Sequence, residues 1–298
     1  MKTFNVDAFV ARDRVPQRIA RRRGFHGVRG YRLGCRARGG EDARDATRAT
    51  EASTSRTLFE NAHVIVINKW HNTSFHSEFA PGVVATVRRE RATNGREGDV
   101  FAVHRLDKST SGILILGKTK DVANALSKAF EERRIIKYYV GVATKRPKKK
   151  MGTIEGDMTR SRAKQWMLTR TMSSASAVTK FTSFGAIGAN GAARRMFVFK
   201  PLTGKTHQLR VAAKSLGSAL LGDDLYGGDV SDRCYLHAAA IRIPALFDGF
   251  DPIQVICDPS DEGEEWDATA FSTYFPPELA LDFGEWFSEL PLLKSALS

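Results

Sequence analysis

Three short segments concentrate the side chains that could do chemistry. The first is His104-Arg105-Leu106-Asp107-Lys108-Ser109-Thr110-Ser111-Gly112, the second Lys137-Tyr138-Tyr139-Val140-Gly141, and the third Thr203-Gly204-Lys205-Thr206-His207-Gln208-Leu209-Arg210. They set ionisable groups beside glycine and hydroxyl turn residues or apolar, strand-like runs, which is how a rigid scaffold presents reactive groups. A carboxylate such as Asp107 can serve as nucleophile or base. Each segment alone also has an ordinary structural reading. The first is a polar turn capped by Asp107 and ended by Gly112, the second a half-buried strand, and the third a glycine turn feeding a helix whose first residues all hydrogen-bond.

Two other patterns suggest different chemistry and fail on physical grounds. Gly112-Ile113-Leu114-Ile115-Leu116-Gly117-Lys118-Thr119 matches the phosphate-loop spacing G-x-x-x-x-G-K-[ST] letter for letter. A phosphate loop must curl so that successive N–H groups face the anion, whereas Ile-Leu-Ile-Leu is the mark of an extended buried strand. His71 and His76 are five apart with no cysteine or third histidine nearby, so they read as loop histidines and no metal site is expected.

The elements that must position these groups can be read from apolar periodicity. Strand-like runs occur at His63 to Asn68, Ile113 to Leu116, Tyr138 to Val142, Met196 to Phe199 and Tyr235 to Ile243. Val122, Ala125, Leu126, Ala129 and Phe130 fall at helical spacing, with Asp121 in the first turn and Arg133-Arg134 at the end, where both suit the helix dipole. Gln208 to Leu216 reads as a second helix closed by Gly217. Strands outnumber helices without regular βαβ alternation, which predicts an α+β fold on a mixed, mainly antiparallel central sheet with flanking helices.

Of the 298 residues, 42% are hydrophobic and 27% charged, enough apolar content for a sizeable core. No apolar run approaches the roughly 18 to 20 residues of a membrane-spanning helix. Cys35, Cys234 and Cys257 are few, odd in number and far apart, which points to a reducing compartment. The net charge of +13 is unevenly divided. Residues 1–38 carry +9 and residues 258–298 carry −9, so the body between them, with 34 basic and 21 acidic residues, holds the whole excess. A polyanionic partner is implied, nucleic acid first. Residues 1–50 are Arg-rich, with Arg21-Arg22-Arg23, and show no sustained periodicity, which suggests an organelle transit peptide or a disordered basic arm. Serine is absent from residues 1–38, which favours mitochondrion over chloroplast. A catalytic domain over residues 57–257 and an acidic C-terminal extension over 258–298 complete the expected organisation.

Taken together, the three segments resemble the RluA-type RNA pseudouridine synthases, whose motifs are H-R-L-D-x-x-T-S-G, K-x-Y and T-G-[RK]-T-H-Q-[LI]-R, here present in family order. The likeness continues through Leu216-Gly217, Leu221-Gly222-Asp223, Leu225-Tyr226-Gly227 and Leu236-His237-Ala238. It implies the pseudouridine synthase catalytic fold and the isomerisation of uridine in rRNA or tRNA without cofactor or metal. The same resemblance assigns the residues. Asp107 would be the essential carboxylate, Arg210 the guanidinium that favours its ionised form, and Tyr139 the ring that packs on the base and can assist proton removal from C5. Arg105 would fill the gap left when the base is flipped out. Lys137 would support the site electrostatically, His104 would support the loop, and His207 and Gln208 would position Arg210 or the uracil edges. Asn68-Lys69-Trp70 departs from the family's Asn-Lys-Pro, and Lys148-Lys149-Lys150 reads as either a solvated loop or a phosphate contact. Residues 1–56 lack the apolar pattern of an S4 domain, so the catalytic domain's own basic surface must select the RNA. A monomer is expected. The rival readings are a non-catalytic RNA-binding or chaperone protein of the same fold, against which the presence of Asp107, Tyr139 and Arg210 argues, and a nucleotide hydrolase dependent on Lys118.

Overall fold

The computed structural model describes residues 54–75, 81–96, 98–161 and 165–274. The expected transit segment, Cys35, His76 and the end of the acidic extension lie outside the described residues. The described chain orders as β1 (Ser55–Glu60), β2 (Val64–Lys69), α1 (Val83–Thr93), β3 (Phe101–Ala102), β4 (Ser111–Gly117), α2 (Lys120–Glu131) and β5 (Ile136–Ala143). There follow β6 (Met151–Gly156), β7 (Met158–Arg160), β8 (Trp166–Leu168), β9 (Ala177–Ile187), β10 (Ala193–Pro201), α3 (Gln208–Ser215), β11 (Leu236–Ile243), β12 (Ile253–Ile256) and α4 (Ala268–Tyr274).

Ten strands form one sheet in the order β1-β2-β4-β11-β5-β10-β9-β6, with β3 paired to β4 and β12 to β11. The β4–β11 pair is parallel and the other pairs antiparallel, so the expected α+β architecture is what the chain adopts. A separate two-stranded ribbon joins β7 and β8.

Ile113 to Leu116 show why the apolar run became a strand: each is exposed by 2% or less. Burying each of these side chains stabilises the fold by roughly 1.5–3 kcal/mol. They pack with Val64 to Ile67 of β2, Val83 and Val87 of α1, and Val122, Leu126 and Ala129 of α2. The phosphate-loop pattern is thereby spent on a buried strand. Its lysine, Lys118, donates to the Asn61 carbonyl at 2.6 Å and pairs with Glu60 at 2.7 Å, while the Thr119 hydroxyl accepts from the Val122 N–H and caps α2. Gly112 has φ +104°, and a Cβ there would overlap the Ala238 backbone, so glycine is what lets β4 enter alongside β11.

The first part of the acidic extension packs against the rest of the described chain. Trp266 and Phe271 are buried against Tyr138, Val140 and Tyr235, and Glu265 makes a bidentate pair with Arg194 at 2.7 and 2.8 Å. Residues 258–274 are part of the fold, because two aromatic side chains in that stretch complete the core beneath β5 and β11.

Candidate active site

The turn between β3 and β4 carries the first segment. The Thr110 N–H donates to the Asp107 carbonyl at 3.1 Å, closing a turn that sets the Asp107 side chain at the edge of the sheet. His104 is fixed from below. Its Nε2 accepts the Ile115 N–H at 3.0 Å, and its ring lies 4.6 Å from that of Phe130. Burial, with a smaller push from the Lys137 charge, drives the imidazole pKa down to about 3. His104 is thus a neutral acceptor committed to the backbone, in keeping with a supporting role and incompatible with proton transfer near neutrality. Lys137 reaches over Phe130 with its ammonium 5.2 Å from the ring centre, and burial lowers its pKa. Tyr139, two residues on in β5, is held in the protonated form by burial and then by the charge of Asp107.

The third segment builds the opposite wall. His207 sits in the left-handed region at φ 58°, an uncommon conformation for a residue with a Cβ, costing roughly 1–2 kcal/mol. The bend re-aims the chain into α3. The Tyr226 hydroxyl accepts the Trp166 N–H at 3.1 Å and is hydrogen-bonded to His207 Nδ1 at 2.9 Å. That bond orients the ring so that Nε2 stands 4.0 Å from Asp107 Oδ2. Burial lowers the His207 pKa, with Asp107 opposing.

Of the two roles expected for Gln208, positioning Arg210 or the uracil edges, its contacts bear on the first. Its Oε1 accepts from Thr203 Oγ1 at 2.8 Å and the Lys205 N–H at 2.9 Å, and its Nε2 donates to the Val178 carbonyl at 3.0 Å and Thr179 Oγ1 at 2.9 Å. The amide is fully committed to folding the 203–208 turn onto β9. Arg210 has a tighter partner than the one expected. Its Nε and Nη2 donate to the two carboxylate oxygens of Asp223 at 2.8 and 2.6 Å, and its Nη1 stands 3.9 Å from Asp107 Oδ2. Burial works against the guanidinium charge, yet the hydrogen bonds and charge of Asp223 outweigh it and raise the Arg210 pKa above its ordinary value. The guanidinium also lies over the Tyr226 ring, 5.1 Å from its centre.

These groups line a recess of about 910 Å³ bounded by His104, Arg105, Asp107, Lys137, Tyr139, His207, Gln208 and Arg210, with the Ser174–Ser176 turn on its far side. A second recess of about 420 Å³ shares Arg105, Asp107, His207 and Arg210 with it. Asp107 therefore lies where the two meet, with the exposed Arg105 at the rim. All eight residues singled out in the sequence converge on one recess, although Gln208 and His104 do so as structural members.

Residues 63–215 match the RNA pseudouridylate synthase family. An RNA pseudouridine synthase of Haemophilus influenzae is 40% identical over 212 residues, 70% of this chain and 89% of that protein. The chain belongs to the RNA pseudouridine synthase family. The synthase is an isomerase acting on RNA, as its relatives are. The ribosomal large subunit pseudouridine synthase C of Rickettsia typhi is 30% identical over 202 residues, 65% of each chain. Among solved structures, human RNA pseudouridylate synthase domain containing 1 shares 25% identity with a TM-score of 0.59, covering 72% of the synthase and 87% of that chain. The fold of human RNA pseudouridylate synthase domain containing 4 is also similar, at a TM-score of 0.56 and 21% identity, over 68% of the synthase and 87% of that chain. No helix among the described residues is long and apolar enough to cross a membrane.

Two site residues escaped role assignment in the sequence. Asp223 and Tyr226 stand within Leu221-Gly222-Asp223 and Leu225-Tyr226-Gly227, and their spacing of three was the available signal. Gly222 has φ +70°, and a Cβ there would collide with the Arg233 carbonyl, so the glycine turn is what delivers Asp223 beneath Arg210.

Proposed function

We propose that the synthase converts uridine to pseudouridine in rRNA or tRNA with Asp107 as the essential carboxylate, acting on a base drawn out of the RNA stack. The observation that carries this reading is the setting of Asp107. Its carboxylate is 21% exposed at the junction of two recesses, with Arg210 at 3.9 Å and His207 at 4.0 Å. The reaction breaks N1–C1′ and forms C5–C1′. The proton lost from C5 balances the one gained at N1, so no electron donor and no hydrolytic water enters. When N1–C1′ breaks, its electron pair leaves with the uracil, and Asp107 supplies the negative charge facing the electron-poor sugar carbon.

Tyr139, kept as a neutral phenol, offers its ring face to the uracil, and the ammonium of Lys137 lies behind it in the same recess. A base stacked in RNA cannot reach a carboxylate recessed this way, so it must flip, and the exposed guanidinium of Arg105 is suited to stack in the vacancy while bonding phosphate. The main recess, about 910 Å³, is at the upper end of the range for sites that enclose a whole ligand, about 300–1,000 Å³, which suits a flipped nucleotide with its neighbours. The Arg-rich residues 1–38 support an organellar RNA as the substrate. Carbodiimide mapping of pseudouridine in organellar and cytosolic RNA treated with the full chain or Asp107→Asn tests the reading. The expected result is signal at defined uridines that vanishes in the variant while RNA binding stays; signal that persists in Asp107→Asn refutes it.

A further inference from the structure

Beneath the catalytic turn lies a buried polar network that the reaction as described does not use. Ser111, at the end of the first motif, bonds both Arg233 Nη2 at 2.5 Å and His237 Nδ1 at 2.8 Å. His237 Nε2 lies 3.2 Å from the Cys257 carbonyl and donates to it, while Nδ1 lies 2.8 Å from Ser111 Oγ and 3.7 Å from Glu262 Oε2. Ser111 Oγ in turn accepts from Arg233. The guanidinium is oriented from the other side by Glu262, through the backbone carbonyl at 2.7 Å and Oε2 at 3.1 Å. Asn68 of β2 donates to Glu262 Oε1 at 2.5 Å. The Arg233 and His237 side chains are 0% exposed and that of Glu262 is 3% exposed. His237, Cys257 and Glu262 converge closely enough to resemble a metal site, but the charge that would hold a cation already faces Arg233.

Burying an arginine and a glutamate costs several kcal/mol of desolvation per ion before their attraction is counted, and apolar residues would fill the same space more cheaply. The ion pair does something else here. It reaches from the 258–274 segment, beyond both the family match and the motifs, to the residue that ends the catalytic turn. Lys69 holds the other side of that turn, donating to the carbonyls of Trp70 at 2.9 Å, Thr73 at 3.2 Å and Lys108 at 3.4 Å. Burial and then Arg233 pull Lys69 down to about 7 while Asp107 and Glu262 oppose them, so the network and the reactive carboxylate share one field.

We propose that Glu262 and Arg233 are positioning residues for catalysis: acting through the Ser111 hydroxyl, they fix the Asp107–Ser111 turn, and the C-terminal segment is thereby a working part of the active site. The inference rests on the synthase reading above. Single-turnover pseudouridine formation by the full chain, on an RNA the wild type modifies, tests it, with KM and thermal midpoint measured alongside. Ser111→Ala and Glu262→Gln should each slow turnover by about tenfold or more while KM for RNA stays within about twofold, since a displacement of about 1 Å at a reacting group can cost on the order of 100-fold. Glu265→Gln, on the same segment but bonded to Arg194, should lower the thermal midpoint and leave turnover unchanged. Ser111→Ala removes one oxygen and carries the test alone if Glu262→Gln does not fold. Wild-type turnover in Ser111→Ala, or an equal fall in Glu265→Gln, overturns the positioning role and leaves the synthase reading intact. A wild-type chain that forms no pseudouridine on any RNA overturns both.

Discussion

Asp223→Asn separates holding the site from doing the chemistry. Asp223 is fully buried and Arg210 is 9% exposed, and the two share hydrogen bonds of 2.6 and 2.8 Å. Asparagine keeps the shape and one acceptor but removes the charge, leaving a buried guanidinium uncompensated. Breaking such a pair costs about 3–5 kcal/mol. For a fold of this size each kcal/mol moves the midpoint by roughly 2–4 °C, so the expected loss is on the order of 10 °C in a thermal melt. Turnover should fall at least tenfold, because the guanidinium that stands 3.9 Å from Asp107 loses its anchor. The double variant Arg210→Met with Asp223→Leu should regain most of the lost stability, since no charge is then stranded, and should stay inactive. A melt within about 2 °C of wild type for Asp223→Asn would refute the claim that the pair is desolvated and charged. A full thermal loss with intact turnover would refute the claim that Asp223 places Arg210 for catalysis.

Arg105→Ala should slow modification of structured RNA by about tenfold or more and affect a short single-stranded substrate far less, because only the former pays to unstack the base, on the order of a few kcal/mol; equal effects on both would argue against the vacancy-filling role. His104 gives a pH signature in stability. Its folded pKa, about 3, lies below the ordinary histidine value of 6.5, so the unfolded chain binds the proton first. As pH falls from 6.5 towards 3 the wild type should lose stability at up to roughly 1.4 kcal/mol per pH unit from this group. Urea unfolding at pH 7, 5.5 and 4.5 should show that slope reduced in His104→Gln, and parallel slopes would remove the group from the account.

What the sequence made legible followed from local chemistry. Ile113 to Leu116, Tyr138 to Val142 and Met196 to Phe199 are continuous apolar runs and became buried strands, α2 has its Thr119 cap beside it in sequence, and α2 and α3 each carry a last-turn cation, Lys128 and Lys214. Helix α1 went unread because Val83 and Val87 are its only buried aliphatic residues in a run that carries charged side chains from Arg88 to Arg91. Strand β9 is broken up by Thr, Ser and Gly, and its burial comes from β10 and β6 on either side. The motif positions were legible as a site, but their division of labour was not. Gln208 spends its amide on residues 29 and 30 positions away, and Glu262 meets Asn68 across 194 positions, separations at which no periodicity carries a signal.

The same division fits the role proposed for Asp107, a carboxylate that must react beside a cation. A carboxylate locked in a bidentate pair with arginine has its lone pairs taken up by N–H donors and is a poor nucleophile or base. Here the tight pair belongs to Asp223, whose two oxygens accept from Arg210 at 2.6 and 2.8 Å, while Asp107 stands back from Arg210 and His207 at 3.9 and 4.0 Å. At 3.9 Å the attraction of the Arg210 guanidinium remains, since two unit charges at about 4 Å still interact by about 4 kcal/mol at an effective dielectric of 20. Directional hydrogen bonding does not. The same logic assigns His207 Nδ1 to Tyr226 and His104 Nε2 to the Ile115 N–H, so that these two ring nitrogens already have their own partners. The field of the Arg210 guanidinium is thus delivered to Asp107 without its hydrogen bonds, and the carboxylate stays open towards the recess where a sugar carbon would arrive.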